Sequence, residues 1–285
     1  MDSDELGVGA ERIIVIEDLP EGPRRPSPGS PTLLANGSTT WRTEVSAGEV
    51  VRLSLVNAAR SRVLRLRLPG ARLKLVASGL GRVEREEPLD ELVLAPGERA
   101  VVDALFERLV DHVLEHRLPG RSLDLATFAV TPPRPGALAA TRFDALRVDP
   151  TYAPHRRALA SLLERAPDAV VTTSAAPGGR LRHLHAPCAR PKVRLVNPST
   201  LGAHQHLVTC VGGRLLVLSR DGVPVRNLAW TDVVLLRAGE VVDALAEADD
   251  GAAVALRCRD LEADEAHGNV LLHVGVGRVG AGKAG

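Results

Sequence analysis

Short apolar runs recur along the whole chain, and residues that favour turns separate them. In residues 62–68, the leucines at 64, 66 and 68 alternate with Arg65 and Arg67, so they share one side of an extended segment. A period of two is typical of a strand with one buried face in an antiparallel sheet. Such runs fill both halves of the chain without the helices that connect parallel strands. The pattern therefore predicts β-sandwiches or Greek-key barrels.

The predicted strands fall into two groups, on either side of a segment rich in proline. They are residues 12–16, 49–56, 62–68, 73–77, 91–94, 100–105 and 123–130 in the first group, and residues 192–196, 214–218, 232–236, 240–245, 253–257 and 269–276 in the second. Residues 154–166 carry the one clear helical pattern. We therefore predict domains at 8–131 and 168–280, joined at 132–167 by a Pro-rich linker with one short helix.

Two short phrases occur in both halves of the chain, about 140 residues apart. Val-Arg-Leu followed by Val-Asn occurs at 51–57 and again at 193–197. Gly-Glu followed by Val-Val-Asp occurs at 97–103 and again at 239–243. The two halves are therefore predicted to be copies of one β domain.

The same phrases resemble parts of the multicopper oxidase family. Residues 51–58 and 92–99 are similar to the middle cupredoxin domain of that family. Residues 212–243, with Val-Leu-Ser-Arg-Asp-Gly-Val-Pro at 217–224, are similar to its last cupredoxin domain. The resemblance covers most of residues 10–280, and what resembles the first domain of the family is absent. It implies an all-β fold made of two cupredoxin-like Greek-key β-sandwich domains.

The resemblance implies two copper-binding segments in the last domain, of which the first reads His-Pro-x-His-x-His-Gly in the family. Here this segment is residues 206–212, and His206 is its one remaining histidine. Thr209 and Val211 stand where the family has its second and third histidines. Neither side chain offers the nitrogen ligand that the segment supplies in the family.

The second segment reads His-Cys-His in the family, followed by another histidine and a methionine. Cys258 is retained here, but Arg257 and Arg259 replace the two histidines that flank it. Ala263 stands at the later histidine position, and Asn269 is matched to the methionine. An arginine does not lose its proton in proteins, so it cannot serve as a metal ligand.

The retained residues are too few for the copper sites that the resemblance implies. A blue-copper site needs two imidazoles and a thiolate, and His206 with Cys258 supplies one of each. We therefore predict a multicopper-oxidase-like protein with eroded copper sites, without catalytic residues or a resident cofactor, that acts as a binding or structural homologue.

Two other functions stay open at this stage. One is a mononuclear copper protein for electron transfer or copper handling, with His206 and Cys258 as ligands and His204, Cys210 or His267 completing the site. The other is a residual oxidoreductase with further ligands, which ranks last. Whether the protein is an enzyme is therefore left undecided by the sequence.

Composition and charge bear on the partners, the membrane association and the location of the protein. The net charge of +1 gives no reason to expect nucleic acid as a partner. No apolar run approaches the roughly 20 residues of a membrane span, and three cysteines are too few for a disulfide framework. Residues 1–6 are acidic and lack the apolar segment of a signal peptide. This predicts a cytoplasmic location for the chain as it stands. Export is the alternative if the chain is part of a longer one.

A partner protein is expected because nothing in the chain resembles the first domain of the family. That domain would cover one face of the last domain, and an uncovered apolar face of a few hundred Å² favours association. The sequence therefore predicts a homo-oligomer or a complex with a copper protein.

Two further clusters have ordinary explanations as well as functional ones. His183, His185 and Cys188 could grip a soft metal, but solvated residues in a Pro-rich and Gly-rich loop are the favoured interpretation. The carboxylates of residues 84–91 are interleaved with arginines, which predicts a solvated face of mixed charge.

Overall fold

The computed structural model describes residues 10–18, 33–133, 143–173, 181–199, 204–249, 251–262 and 265–275, without the side chains of 265–268. Residues 134–142 of the predicted linker and the His267 side chain therefore lie outside the description. Its residues form two compact units. One comes from Met1–Ser78 and Arg85–Val148, and the other from Gly79–Glu84 and Asp149–Gly285.

The described part of the first half consists of strands. They are β1 (Ala10–Asp18), β2 (Leu33–Ala35), β3 (Trp41–Ser46), β4 (Val50–Asn57), β5 (Leu64–Arg67), β6 (Arg72–Ser78), β7 (Gly81–Leu89), β8 (Leu92–Leu94), β9 (Arg99–Leu105), β10 (His112–Leu118) and β11 (Arg121–Thr131). They form one sheet in the order β2-β1-β4-β9-β6-β7 and another in the order β3-β11-β10-β5-β8.

The two sheets of the first half bury a shared core. Leu53 and Val102 of one sheet belong to the same buried cluster as Leu66, Leu114 and Phe128 of the other. In β5 the alternation read from the sequence puts the leucines inside and the first arginine outside. Two sheets closed on one apolar core make a β-sandwich.

The second half repeats this organisation after a short helical segment. Its strands are β12 (Ala169–Thr172), β13 (Leu181–His185), β14 (Lys192–Val196), β15 (His206–Val211), β16 (Gly213–Arg220), β17 (Val223–Pro224), β18 (Trp230–Thr231), β19 (Val233–Leu236), β20 (Val241–Ala248), β21 (Ala253–Asp260) and β22 (Glu265–His273). One sheet has the order β12-β14-β20-β16-β17, with β18 paired to β16, and the other has the order β13-β22-β21-β15-β19. Leu195 and Val242 of one sheet share a core with Val208, Leu256 and Leu272 of the other.

The helix α1 spans Ala153–Glu164, where the sequence predicts 154–166. A 3₁₀ turn at Pro150–Tyr152 precedes it, and the Asp149 side chain accepts a hydrogen bond from the Thr151 N–H. The helix ends early because Arg165 is extended, and the residue before a proline, here Ala166, also disfavours the helical conformation. None of the helices in the described ranges is long and apolar enough to cross a membrane. The predicted all-β fold of two sandwiches with one short helix is confirmed.

The two repeated phrases form the same ion pair with each other in each half. The Arg52 guanidinium donates two hydrogen bonds to the Asp103 carboxylate, at 2.8 and 3.1 Å. The Arg194 guanidinium donates two to Asp243, at 2.8 and 2.9 Å. In both halves the two residues lie opposite each other on antiparallel strands. The repeat therefore extends from residue types to side-chain contacts.

The asparagine that ends the first repeated phrase also has the same role in both halves. Asn57 and Asn197 are both fully buried. The Asn57 side-chain amide donates to the Leu94 carbonyl at 2.9 Å, and that of Asn197 to the Leu236 carbonyl at 3.4 Å. Each asparagine thereby ties one sheet of its sandwich to the other, because Leu94 and Leu236 belong to the opposite sheet.

The predicted solvated face at residues 84–91 is wrong at Glu86, which is 4% exposed. Its carboxylate lies 3.0 Å from the Lys74 ammonium and 2.5 Å from the Arg147 guanidinium. Burial raises the pKa of Glu86, but hydrogen bonds from Arg147 and Lys74 outweigh this effect and hold the pKa below its usual value. A carboxylate can be buried here because two cations neutralise it.

Candidate functional site

The two retained residues meet on the inner face of the second sandwich. His206 begins β15 and Cys258 lies in β21, which pairs with β15 in antiparallel register. His206 lies opposite Asp260, and Val208 lies opposite Cys258. Because side chains alternate between faces, His206, Cys258 and Asp260 all point into the sandwich, and all three are buried.

The imidazole of His206 lies between a thiol and a carboxylate. Its Nδ1 is 3.8 Å from the Cys258 Sγ, and its Nε2 is 3.9 Å from an Asp260 carboxylate oxygen. Burial, with a smaller contribution from the charge of Asp260, raises the pKa of the Cys258 thiol to about 12. The thiol is therefore protonated at neutral pH and can donate a hydrogen bond to Nδ1.

The three residues considered as a further ligand do not join this pair in the described contacts. The His204 Nδ1 lies 3.3 Å from the Asp260 carboxylate instead. Cys210 lies four residues along β15 from His206, which is about 13 Å in an extended strand. The side chain of His267 lies outside the description. The sequence missed Asp260, whose place became visible only with the register of β15 and β21.

Four of the five positions where histidines are replaced lie together on the outer face of the same sheet, and the fifth, Ala263, lies outside the described residues. Thr209 is paired with Arg257, and Leu207 with Arg259, while Val211 follows two residues after Thr209. Arg257 is exposed, and Val211 is 40% exposed. The outer face therefore presents two guanidinium groups, a hydroxyl group and an aliphatic side chain.

The cluster of His183, His185 and Cys188 separates in the structure. The Cys188 Sγ lies 3.8 Å from a carboxylate oxygen of Asp168, and burial raises the pKa of this thiol. The two histidines lie on β13, where His273 of the neighbouring strand contacts them. The sequence missed His273 because a single histidine in an apolar strand carries no local signal.

The residues present do not complete the copper sites that the resemblance implies. The inner pair supplies two donors of the three that a trigonal copper set requires. The outer face offers no imidazole at the replaced positions, and its two fixed positive charges repel a cation. Across the described ranges, no three His, Cys, Asp or Glu side chains form a ready-made metal site.

Solved structures identify the class of fold, although no protein-family model and none of the curated proteins matches the sequence. A multicopper oxidase from Campylobacter jejuni, described as a metallo-oxidase, matches 92% of this chain over 64% of its own length, with 16% identity and a TM-score of 0.64. A laccase-like multicopper oxidase from the lignin-degrading bacterium Ochrobactrum sp. matches 95% of this chain over 69% of its own, with 17% identity and a TM-score of 0.67.

A third similar structure is a multicopper oxidase from the hyperthermophile Aquifex aeolicus, with 15% identity and a TM-score of 0.65. It matches 95% of this chain over 68% of its own length. At these identities the likeness establishes the fold, which is the cupredoxin-like fold of multicopper oxidases. The chain spans about two thirds of the length of the structures it matches. The predicted resemblance and the cupredoxin-like fold class are thus confirmed.

Proposed function

We propose that this protein is a non-catalytic homologue of multicopper oxidases that works by binding a partner. The observation that carries the proposal is the outer face of the sheet β13-β22-β21-β15-β19. Arg257, Arg259, Thr209 and Val211 occupy it where the family resemblance implies copper-binding histidines. A fold alone does not define an activity, so the proposed function is based on the chemistry of these side chains.

The inner pair supports the same proposal. The protonated Cys258 thiol and the His206 imidazole satisfy each other as a buried hydrogen bond. Free cysteines are commonly buried and inert in this way. The pair therefore serves packing without requiring a metal ion.

Copper titration of the reduced protein tests the proposal directly. We expect no thiolate-to-copper absorption band, and no oxidation of a phenol or of cuprous ion by oxygen. Cys258→Ser is the matched control, and it should behave like the wild type in metal analysis and in paramagnetic-resonance spectra. Turnover with bound copper would contradict the proposal.

A second candidate function is a mononuclear copper site on His206 and Cys258, for electron transfer or copper handling. One distance favours it. A metal held in trigonal geometry at about 2.1 Å from nitrogen and about 2.3 Å from sulfur places the two donors about 3.8 Å apart. The Nδ1 to Sγ distance is 3.8 Å. One retained copper with a charge-transfer band that Cys258→Ser abolishes would establish this candidate in place of the first.

Association of two copies through the outer face is the binding event that we propose. Val211 and Leu181 are 40% and 53% exposed there. Light scattering at micromolar concentration is expected to give at least twice the 30.2 kDa of one chain. Val211→Asp should lower that mass by placing a charge in the interface, whereas Val223→Asp, on an exposed strand of the other sheet, should not. A monomeric wild type would contradict this prediction.

A further inference from the structure

Three histidines lie side by side at one edge of the second sandwich. The edge strand β13 carries His183 and His185, and the adjacent strand β22 carries His273. The strands are parallel, and His185 lies directly beside His273 in the register. His183 and His185 are two residues apart, so their side chains leave the strand on the same face. The cluster therefore comes from the pairing of two strands that are distant in sequence.

The three imidazoles contact one another closely. The His183 Nδ1 lies 3.1 Å from the His273 Nε2. The rings of His183 and His185 lie within 13° of parallel to the ring of His273, with centroids 5.4 and 4.6 Å from it. One nitrogen of the closest pair donates its proton to the other, and a metal ion that displaces this proton gains both nitrogens as ligands.

Within a single chain, the cluster is open to solvent and separate from the His206–Cys258 pair. His183 and His185 are exposed, whereas His206 and Cys258 are buried. On β21, the register partner of His273 is Ala253, which alternates with the inward-facing residues of that strand. The histidines therefore belong to the outer face, where the register neighbour of His273 on β21 is a small alanine.

We propose that His183, His185 and His273 bind a divalent transition-metal ion of the type that imidazole prefers, such as Zn²⁺. Two nitrogens that each lie about 2.0–2.1 Å from a tetrahedral zinc ion are about 3.3 Å apart. The 3.1 Å between the His183 and His273 nitrogens is close to that value. These two residues supply the first two ligands.

His185 supplies the third ligand and a water molecule the fourth. Its ring is stacked on His273 instead of converging on a shared point, which is why the three do not form a ready-made site. Exposed side chains change rotamer within nanoseconds, so the ring can turn to place a nitrogen on the ion. Three histidines and one water complete a tetrahedral zinc site.

Calorimetric titration of the whole chain with zinc chloride tests the proposal. We expect saturable binding of one Zn²⁺ per chain, and a loss of about tenfold or more in affinity in His183→Gln and in His273→Gln. His183 is exposed, so His183→Gln should fold like the wild type, and circular dichroism checks this. Zinc should also raise the melting temperature of the wild type, but much less that of His273→Gln, because a ligand stabilises only the state that it binds.

Cys258→Ser is the matched control, since it removes a donor from the other candidate pair and leaves the histidine cluster unchanged. Its affinity for zinc should equal that of the wild type. The proposal is overturned if the wild type shows no saturable binding, or if the histidine variants bind zinc as tightly as the wild type. It is also overturned if Cys258→Ser alone abolishes binding, because the ion would then bind beside His206. Since the thiolate-to-copper band reports on that buried pair alone, the two proposals fail independently.

Discussion

Replacing Asp243 with asparagine is expected to destabilise the second unit by about 3–5 kcal/mol, the typical cost of removing one partner from a buried ion pair. Asp243 accepts two hydrogen bonds from Arg194 and lies 3.3 Å from the Lys192 ammonium. Lys192 is completely buried, and its other hydrogen bonds go to the carbonyls of Leu163 and Arg165. Without the carboxylate, a buried ammonium loses its counter-charge.

The same pair makes stability depend on pH in a defined direction. Hydrogen bonding from Arg194 holds the pKa of Asp243 below its usual value, although burial acts in the opposite direction. A carboxylate with a lowered folded-state pKa stabilises the fold above the unfolded pKa of about 3.9, and this contribution is lost as the pH falls. Asp243→Asn should therefore lose stability at neutral pH and show a smaller further loss in acid.

Urea unfolding followed by tryptophan fluorescence measures both effects. The chain has two tryptophans, so a Trp41→Phe background leaves Trp230 as the reporter of the second unit. The matched control is Asp111→Asn, read by Trp41 of the first unit in a Trp230→Phe background, which removes an ion pair of 2.9 Å with Arg42 where both side chains are more than half exposed. It should change the free energy of unfolding by no more than about 1 kcal/mol. Equal effects of the two variants would refute the assigned role of the buried pair.

Replacing Gly213 with alanine is expected to destabilise the second unit by about 3 kcal/mol, the upper end of ordinary overpacking. Gly213 begins β16, next to β20 of its own sheet and in contact with β21 of the opposite sheet. A Cβ at this position would come within 2.3 Å of the Glu247 carbonyl oxygen and 2.4 Å of a Val254 methyl group. Backbone atoms cannot move aside as the end of a flexible side chain can. The substitution must therefore separate β16 from its neighbours.

The matched control for this prediction is Gly81→Ala. A Cβ at Gly81 would have no atom within 4 Å, and neither glycine has the positive φ that would strain an alanine. The control should change stability by less than about 0.5 kcal/mol. Urea unfolding in the Trp41→Phe background compares the two variants. If both variants were destabilised to a similar extent, the close contacts at Gly213 would not be the cause of the loss of stability.

Local pattern was enough to predict most of the fold, because alternation and turn residues act over short distances. The strand predicted at 192–196 coincides with β14, and the repeat predicted two copies of one β domain, which the matching ion pairs of Arg52 and Arg194 support. β3 was missed, since its sequence Trp-Arg-Thr-Glu-Val-Ser mixes polar and apolar positions. Glu86 was misplaced because its partners come from β6 and from Arg147, which are far away in the chain.

The sequence predicted individual residues of the candidate site but not the neighbours that surround them. The resemblance singled out His206 and Cys258, which the structure places 3.8 Å apart. Asp260 and His273 could not be predicted, since each depends on the register between strands. Register is a property of the whole sandwich, which no local pattern of residues contains.

The alternation along β15 and β21 separates the residues that form the surface of the sheet from those that form the core. Thr209 and Val211 of β15 face outward, whereas His206, Val208 and Cys210 face the core. Substitutions at the two outward positions therefore change the surface of the sheet and spare the packing of the sandwich. His206 and Cys258 belong to the inward set, where they help to fill a tightly packed interior.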